Sequence, residues 1–491
     1  MTVSRTEQPP YNEFIDPEKS SAEKPSKDPN LVEWDQDDPD NPMNWSTSKA
    51  WCNLGVISFF RFLSPLTSSM IAPVSNSVLQ DFRVNSQITG SLITSIYILG
   101  YALGPLLLAP LSEIVGRLPV YHANNILFVA WNLGAALAPN IGGLLAFRLL
   151  AGLAGSRPVT IGNGPIADCV PKKKRGAATA IFTMGPLLGP VIGPIAGGFL
   201  AEAQGWRWIF WVLTIASGAL AVVSLAVQRE TYGPVLLERR TKYLRSKTGN
   251  DKLYHAHSAS LNRPRKEIFR SAIARPVKML FLSPIVFITS VYVGLVYGYT
   301  YLLFTSFGSL FEDVYHFSPG VVGLTYLGFG VGCTLGLVVV GSLSDKMTAR
   351  VSKGTEWKPE YRLAPLLPGS LVIPIGLFWY GWSAQAKTHW ILPIIGTGWV
   401  GLGTLAVFLP VQTYLIDAFP LYAASAAAAN TIFRSFMGAF LPLAGPPMYK
   451  SLGQGWGNSL LAFVALIFTP VAWIMFKYGE KVRKSSQRDF A

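Results

Sequence analysis

Residues 84–112 read VNSQITGSLITSIYILGYALGPLLLAPLS, 29 positions without a single Asp, Glu, Lys or Arg. A helix crossing a hydrocarbon core of ~30 Å needs about 20 such residues. Further uncharged runs cover residues 118–147, 176–201, 279–311, 314–344, 388–416 and 451–476. Only 14% of the 491 residues are charged, and 50% are hydrophobic. A soluble domain carries about 25% charged residues. The pattern excludes a soluble fold, and three cysteines exclude a disulfide scaffold. A β-barrel would alternate apolar and polar residues, which these runs do not. The chain is therefore read as an all-α membrane protein.

Placing helices on the apolar runs gives twelve spans: 50–72, 87–108, 119–138, 142–164, 177–201, 208–228, 283–307, 319–343, 363–384, 390–414, 424–446 and 457–476. Of 41 Lys and Arg, 33 then fall in the two tails and the even-numbered connections, and four in the opposite loops (Arg83, Arg207, Lys387, Lys450). The positive-inside rule places both termini and the basic connection 229–278 in the cytoplasm. The net charge of +14 is thus topological, and no nucleic-acid partner is expected. Basic residues near the surface would also attract anionic lipid, by about 1 kcal/mol each. The segment 1–49 holds 11 acids against five bases and is expected to be a disordered cytoplasmic tail without a cleavable signal peptide. Asn44-Trp45-Ser46 matches a glycosylation sequon but lies on the cytoplasmic side. Cys52, Cys169 and Cys333 form no paired motif and read as small apolar residues.

The connection 229–278 separates two six-helix halves, 50–228 and 279–476, with a tail at 477–491. Each half repeats two landmarks in the same order. Leu111-Ser112-Glu113 corresponds to Leu343-Ser344-Asp345 at the end of the second span. Asp168-Cys169-Val170-Pro171 corresponds to Asp417-Ala418-Phe419-Pro420 at the end of the fourth. Parallel halves around a midplane site describe a transporter architecture.

Residues 104–117 (GPLLLAPLSEIVGR) resemble the loop signature of the major facilitator superfamily, and Arg148-Leu149-Leu150-Ala151-Gly152 resembles its fourth-span arginine motif. Residues 185–198 resemble the fifth-span motif of its antiporters. Asn41-Pro42-Met43-Asn44-Trp45, Trp206-Arg207-Trp208, Glu230-Thr231-Tyr232, Arg275-Pro276 and residues 424–430 (ASAAAAN) resemble the fungal twelve-span drug:proton antiporter branch. The resemblance extends from about residue 41 to about 476 and implies the major facilitator fold.

It also implies roles. Glu113, Gly116 and Arg117 would form a conformational latch, with Asp345 as a weaker counterpart; the alternative is a topogenic loop with solvated charges. Arg148 would serve proton coupling by biasing a nearby carboxylate, or would pin helices through backbone carbonyls. Asp168 and Asp417 join Glu113 as candidate proton carriers, because no carboxylate sits in mid-span. In span 5, Gly185, Gly189, Gly193 and Gly197 recur every four residues and leave one face bare for close helix approach. Pro186, Pro190 and Pro194 remove amide donors beside them. The face reads as a packing seam, and the resemblance adds a hinge against the other half.

Candidate substrate contacts are Arg61, Tyr97, Tyr292, Tyr297, Tyr301, Trp399, Gln412, Asn430 and Arg434. Arg61 could anchor an anionic substrate or join a structural ion pair. Arg157 stands nine residues after Arg148, on roughly the opposite helix face. Tyr292 and Tyr299 share one face of span 7, and Tyr297 and Tyr301 another. Aromatic stripes of this kind also serve as packing.

No P-loop, metal-ligand cluster or nucleophile–base pair is found, so neither an enzyme nor a cofactor is expected. The resemblance implies export of amphipathic drugs, toxins or secondary metabolites in exchange for protons, at the plasma membrane and by a functional monomer. The alternatives are a dedicated exporter of one metabolite such as a polyamine, and a non-transporting sensor of the same fold.

Overall fold

The computed structural model describes residues 28–35, 37–170, 175–256, 264–353 and 356–488. Among them the chain is helical, with one isolated β-bridge between Leu31 and Tyr254. Spans 1 to 3 are Thr47–Ser69, Gln87–Val115 and Arg117–Ala136. Span 4 runs as three helices in succession, Ile141–Gly155, Arg157–Thr160 and Asn163–Cys169. Spans 5 to 8 are Arg175–Gln204, Arg207–Val227, Pro284–Tyr315 and Pro319–Ser352. Spans 9 to 11 are Leu366–Gln385, Ile391–Ala418 and Ala423–Phe440. Span 12 is the part of Gly445–Arg488 beyond the kink at Gly453.

The helix starts follow from local chemistry. The Ser46, Ser86 and Asn140 side chains accept from the amides of Lys49, Thr89 and Gly143. Each satisfies an otherwise orphaned donor at a helix N-terminus. Gly116 adopts φ 98° and divides span 2 from span 3. Among the described residues, ten stretches are long and apolar enough to cross a membrane. One of them, Ala423–Ser485, contains both spans 11 and 12. Span 3 supplies the remaining crossing; its polar Asn124, Asn125 and Asn132 are turned inward and buried. Asn125 donates to Ser224 of span 6 at 2.9 Å.

Each half packs its own apolar core. Tyr301 of span 7 enters the core of the first half, and Ala72 enters that of the second. Hydrogen bonds that join the halves lie toward the face opposite the termini. Ser68 meets Tyr301 at 3.0 Å, Asn76 donates to Glu312 at 2.7 Å, and Glu202 accepts from Ser318 and the Gly320 amide at 3.1 and 3.0 Å. A cavity of about 510 Å³ opens there between the halves, with Asn76, Gln87, Ser309, Asp313 and Lys450 on its wall.

On the termini face, the expectation of a disordered tail over 1–49 needs revision. Residues 1–27 lie outside the described residues, but from Asp28 the chain is docked. The Val32 amide donates to the Tyr254 carbonyl at 2.7 Å, and the Tyr254 amide donates to the Asn30 carbonyl at 2.9 Å. Arg240, on the helix Gly233–Thr248, pairs with Asp35 at 2.9 Å and with Asp38. Two of the segment's acids, Asp35 and Asp38, are thus matched by Arg240 of the basic central connection. The basic run Lys172–Lys174 lies outside the described residues.

Candidate substrate and coupling site

The four intramembrane arginines occupy two kinds of site. Arg148 is 1% exposed and donates to carbonyl oxygens alone: Thr67 at 2.8 Å, Ser68 at 2.9 Å, Ile93 at 3.1 Å and Thr94 at 3.5 Å. Thr67 and Ser68 belong to the last turn of span 1, whose carbonyls have no helical partner. Arg148 thus caps span 1 and ties it to span 2, with its positive charge at the negative end of the helix dipole. This is the pinning geometry, and no carboxylate is among its partners.

Arg157 is equally buried, yet its Nε and Nη1 have no hydrogen-bond partner. Its guanidinium lies 4.0 Å from the Phe60 ring and 5.8 Å from that of Tyr121, whose hydroxyl is also unpartnered. Arg61 sits 4.2 Å over Phe182 and donates to the Pro158 carbonyl at 3.3 Å, next to Arg157 in sequence. From the second half, Arg434 stacks on Tyr297 at 5.1 Å and Phe408 at 4.9 Å, and its Nε is unpartnered. Arg61 and Arg434 are within electrostatic reach of each other across the seam. Among the described residues no carboxylate pairs with Arg148, Arg157 or Arg434.

Tyrosines complete this central layer. Ser64 bonds to the hydroxyls of Tyr97 at 2.8 Å and Tyr101 at 2.5 Å, and donates to the Gly155 carbonyl at 2.7 Å. Tyr101 faces Tyr297 and Tyr301 of the other half. Asn430 is buried one turn before Arg434, and half-buried Gln412 stands one turn after Phe408.

The charge networks on the termini face are duplicated. Arg117, at the start of span 3, pairs with Asp168 at the end of span 4. Arg362, just before span 9, pairs with Asp417 at the end of span 10 at 3.0 Å and with Asp345 at 3.2 Å. In the first half, Glu230 accepts from the amides of Arg117, Leu118, Thr231 and Tyr232 at 3.0–3.2 Å. In the second half the acid sits at the other end of the contact: Glu360, just before span 9, accepts from Arg483 near the end of span 12 at 2.8 Å. Gly116 is required here twice: for its positive φ, and because a Cβ would stand 2.5 Å from Glu230 Oε2.

A profile described as Major Facilitator Superfamily matches residues 57–442. The chain belongs to that superfamily. It is 52% identical over 473 residues to "MFS transporter cpaT" of Aspergillus oryzae, covering 95% of this chain and 94% of the relative. It is 53% identical over 476 residues to "MFS-type transporter penM" of Penicillium rubens, covering 96% and 93%. It is 45% identical over 462 residues to "Efflux pump radE" of Floropilus chiversii, covering 93% and 85%. Among solved structures, the xylose transporter XylE of E. coli superposes with a TM-score of 0.65 at 16% identity, covering 88% of this chain and 98% of that one. That last likeness shows the fold: twelve helices in two halves.

Within this superfamily fold, several expected positions take other places. Glu113 and Arg117 lie on different helices because Gly116 ends span 2, and the cations facing Glu113 are Arg275 and then Arg117. The span-5 glycines face span 1, not the other half. A Cβ on Gly185 would stand 2.9 Å from the Phe62 amide nitrogen, one on Gly189 2.8 Å from that of Leu66, and one on Gly193 2.8 Å from the Leu66 carbonyl. Gly197 abuts Met70 in the same way. The neighbouring face of span 5 meets span 8: Val191 against Gly330, Ile195 against Gly323, Gly198 against Pro319. Trp399 is not in the centre but 40% exposed, on an outward groove with Leu327, Val331 and Leu335. Tyr292 turns into the core of the second half and stacks on Phe468 of span 12 at 5.0 Å, joined there by Tyr299. Tyr297 and Tyr301, on the other face, reach the seam. The sequence reading missed Ser64, Ser68 and Tyr101. Tyr101 carried a signal, standing four residues after Tyr97 on the same face.

Proposed function

We propose that the protein is a proton-coupled exporter of amphipathic small molecules, such as secondary metabolites or drugs, working by alternating access. The observation that carries this reading is its 45–53% identity, over more than nine-tenths of the chain, to fungal transporters that include a named efflux pump. The two-faced packing of span 5 supports a hinge. One face is locked to span 1 by glycines, and the adjoining face slides on span 8. The halves 50–228 and 279–476 move as units joined by the connection 229–278, and each supplies one wall of the central layer, so a monomer suffices. The termini face is cytoplasmic, by the basic-residue asymmetry, and the membrane is the plasma membrane. Proton arrival at Asp168 or Asp417 would free Arg117 or Arg362 and loosen the termini-side network, because hydrogen bonds to a charged carboxylate are about twice as strong as neutral ones. The arginine-lined centre counts against a polyamine cargo.

The test is retention of labelled lipophilic anions, cations and neutral drugs in cells lacking their main exporters. Lower retention with the wild type than with the empty vector, abolished when the pH gradient is collapsed, is expected. Equal retention across the panel refutes export, and efflux that survives the collapse refutes the coupling.

A further inference from the structure

The central layer says more about the cargo than its size. Arg61 and Arg434 stand within reach of each other across the seam between the halves, and Arg157 lies inside the first half beside Phe60 and Tyr121. Arg157 presents two unpartnered donors although it is 1% exposed, and Arg434 presents one. A buried guanidinium is normally paired or capped by carbonyls, as Arg148 is. Arg157 has neither arrangement at its Nε and Nη1; it lies against Phe60 and beneath an unpartnered Tyr121 hydroxyl. The aromatic floors under the cations, Phe60, Phe182, Tyr297 and Phe408, are apolar surfaces for a hydrophobic body.

We propose that the transported species is an amphipathic organic anion, a carboxylate or enolate, whose charged oxygens take the free donors of Arg157 and Arg434 while its apolar part lies on those rings. This rests on the exporter reading above and names the cargo class of that site. A planar guanidinium presents two parallel donors that match the two oxygens of a carboxylate. The arrangement repels cations of the same shape. It also places donors on both halves, Arg157 on the first and Arg434 on the second.

The test uses one scaffold with three charges: pyrenebutyric acid, its methyl ester and pyrenebutylamine. Each is added to the purified full chain in detergent at pH 7.5, and the melting temperature is followed against concentration. The acid is expected to raise it with at least tenfold lower half-effective concentration than the ester, and the amine to have no effect. Arg157→Met and Arg434→Met should each remove the preference for the acid, with Arg157→Lys retaining part of it. Equal response to all three compounds, no response to any, or an acid preference that survives both Met variants overturns the anion assignment. The same compounds are then loaded into proteoliposomes. Efflux of ester or amine without efflux of acid overturns the anion assignment and leaves export standing. Acid-selective binding without flux upholds the anion site and tells against export.

Discussion

Arg148 and Arg157 are both buried arginines of span 4, and the same substitution should move stability in opposite directions. In Arg148→Met, the carbonyls of Thr67, Ser68 and Ile93 lose donors now at 2.8, 2.9 and 3.1 Å. Each buried carbonyl left without a partner costs about 1–3 kcal/mol. Removing the charge also relieves a desolvation cost of several kcal/mol, which leaves a net loss of about 2–4 kcal/mol. At roughly 2–4 °C per kcal/mol for a unit the size of one half, the melting temperature should fall by roughly 5–15 °C. Arg157→Met loses no hydrogen bond at Nε or Nη1, only a cation–π contact worth about 0.5–2 kcal/mol, and relieves a similar desolvation cost. Its melting temperature should rise by a few degrees. The assay is thermal melting of detergent-purified protein followed by size-exclusion chromatography, with Arg148→Lys as the conservative control lying between wild type and Arg148→Met. Arg148→Met melting at or above wild type refutes the capping role. Arg157→Met melting as far below wild type as Arg148→Met refutes the claim that Arg157 is uncompensated in the empty protein.

Four further outcomes follow from the packing and the charge pairs. Gly189→Val places a Cβ 2.8 Å from backbone atoms of Phe62 and Leu66 and should cost about 1–3 kcal/mol with loss of transport, whereas Gly218→Ala, with nothing within 4 Å, should melt like wild type. Glu230→Gln weakens four charge-assisted bonds from backbone amides and should speed hydrogen exchange at the Arg117 and Leu118 amides by about tenfold or more; unchanged protection there would remove Glu230 from the latch. Asp38→Ala should release residues 28–46 from the helix Gly233–Thr248, seen as faster proteolysis of that segment while the spans stay intact. In the same lobe burial opposes ionisation of Glu238, but hydrogen bonds from His255 and Lys242 outweigh it and hold the carboxyl below its usual range. Its stabilisation is therefore fully present above the unfolded value of about 4.3 and lost only as pH falls through the lower folded value, so exchange protection of the lobe should stay flat from pH 8 to 5 and drop below about pH 4.

Much of the architecture is legible in the residues alone. Charge-free runs of more than 25 residues admit only membrane helices, because the hydrocarbon core accepts no unpaired backbone or charge. The repeated Asp-x-x-Pro and Leu-Ser-acid landmarks announced the duplication that the Arg117–Asp168 and Arg362–Asp417 pairs display in space. The bare glycine face of span 5 was readable as a seam, since spacing specifies a face. What the face meets was not, because that depends on which helix lies alongside, and the partner proved to be span 1. Periodicity likewise separated Tyr292 from Tyr297 but could not say which of the two faces the seam. Trp399 looks like a pocket residue in one dimension and turns outward in three.

The membrane class, the number of crossings and the family are therefore properties of composition and local motif, which need no long-range contact to be expressed. The difference between Arg148 and Arg157 is not. Both are arginines in one apolar span, nine residues apart; the motif around Arg148 and the proline after Arg157 differ, but neither says what the side chain meets. Only tertiary packing delivers the open carbonyls of span 1 to the first and leaves two donors of the second facing aromatic rings. That difference arises because a buried charge is defined by what surrounds it, and those partners arrive from parts of the chain more than thirty residues away.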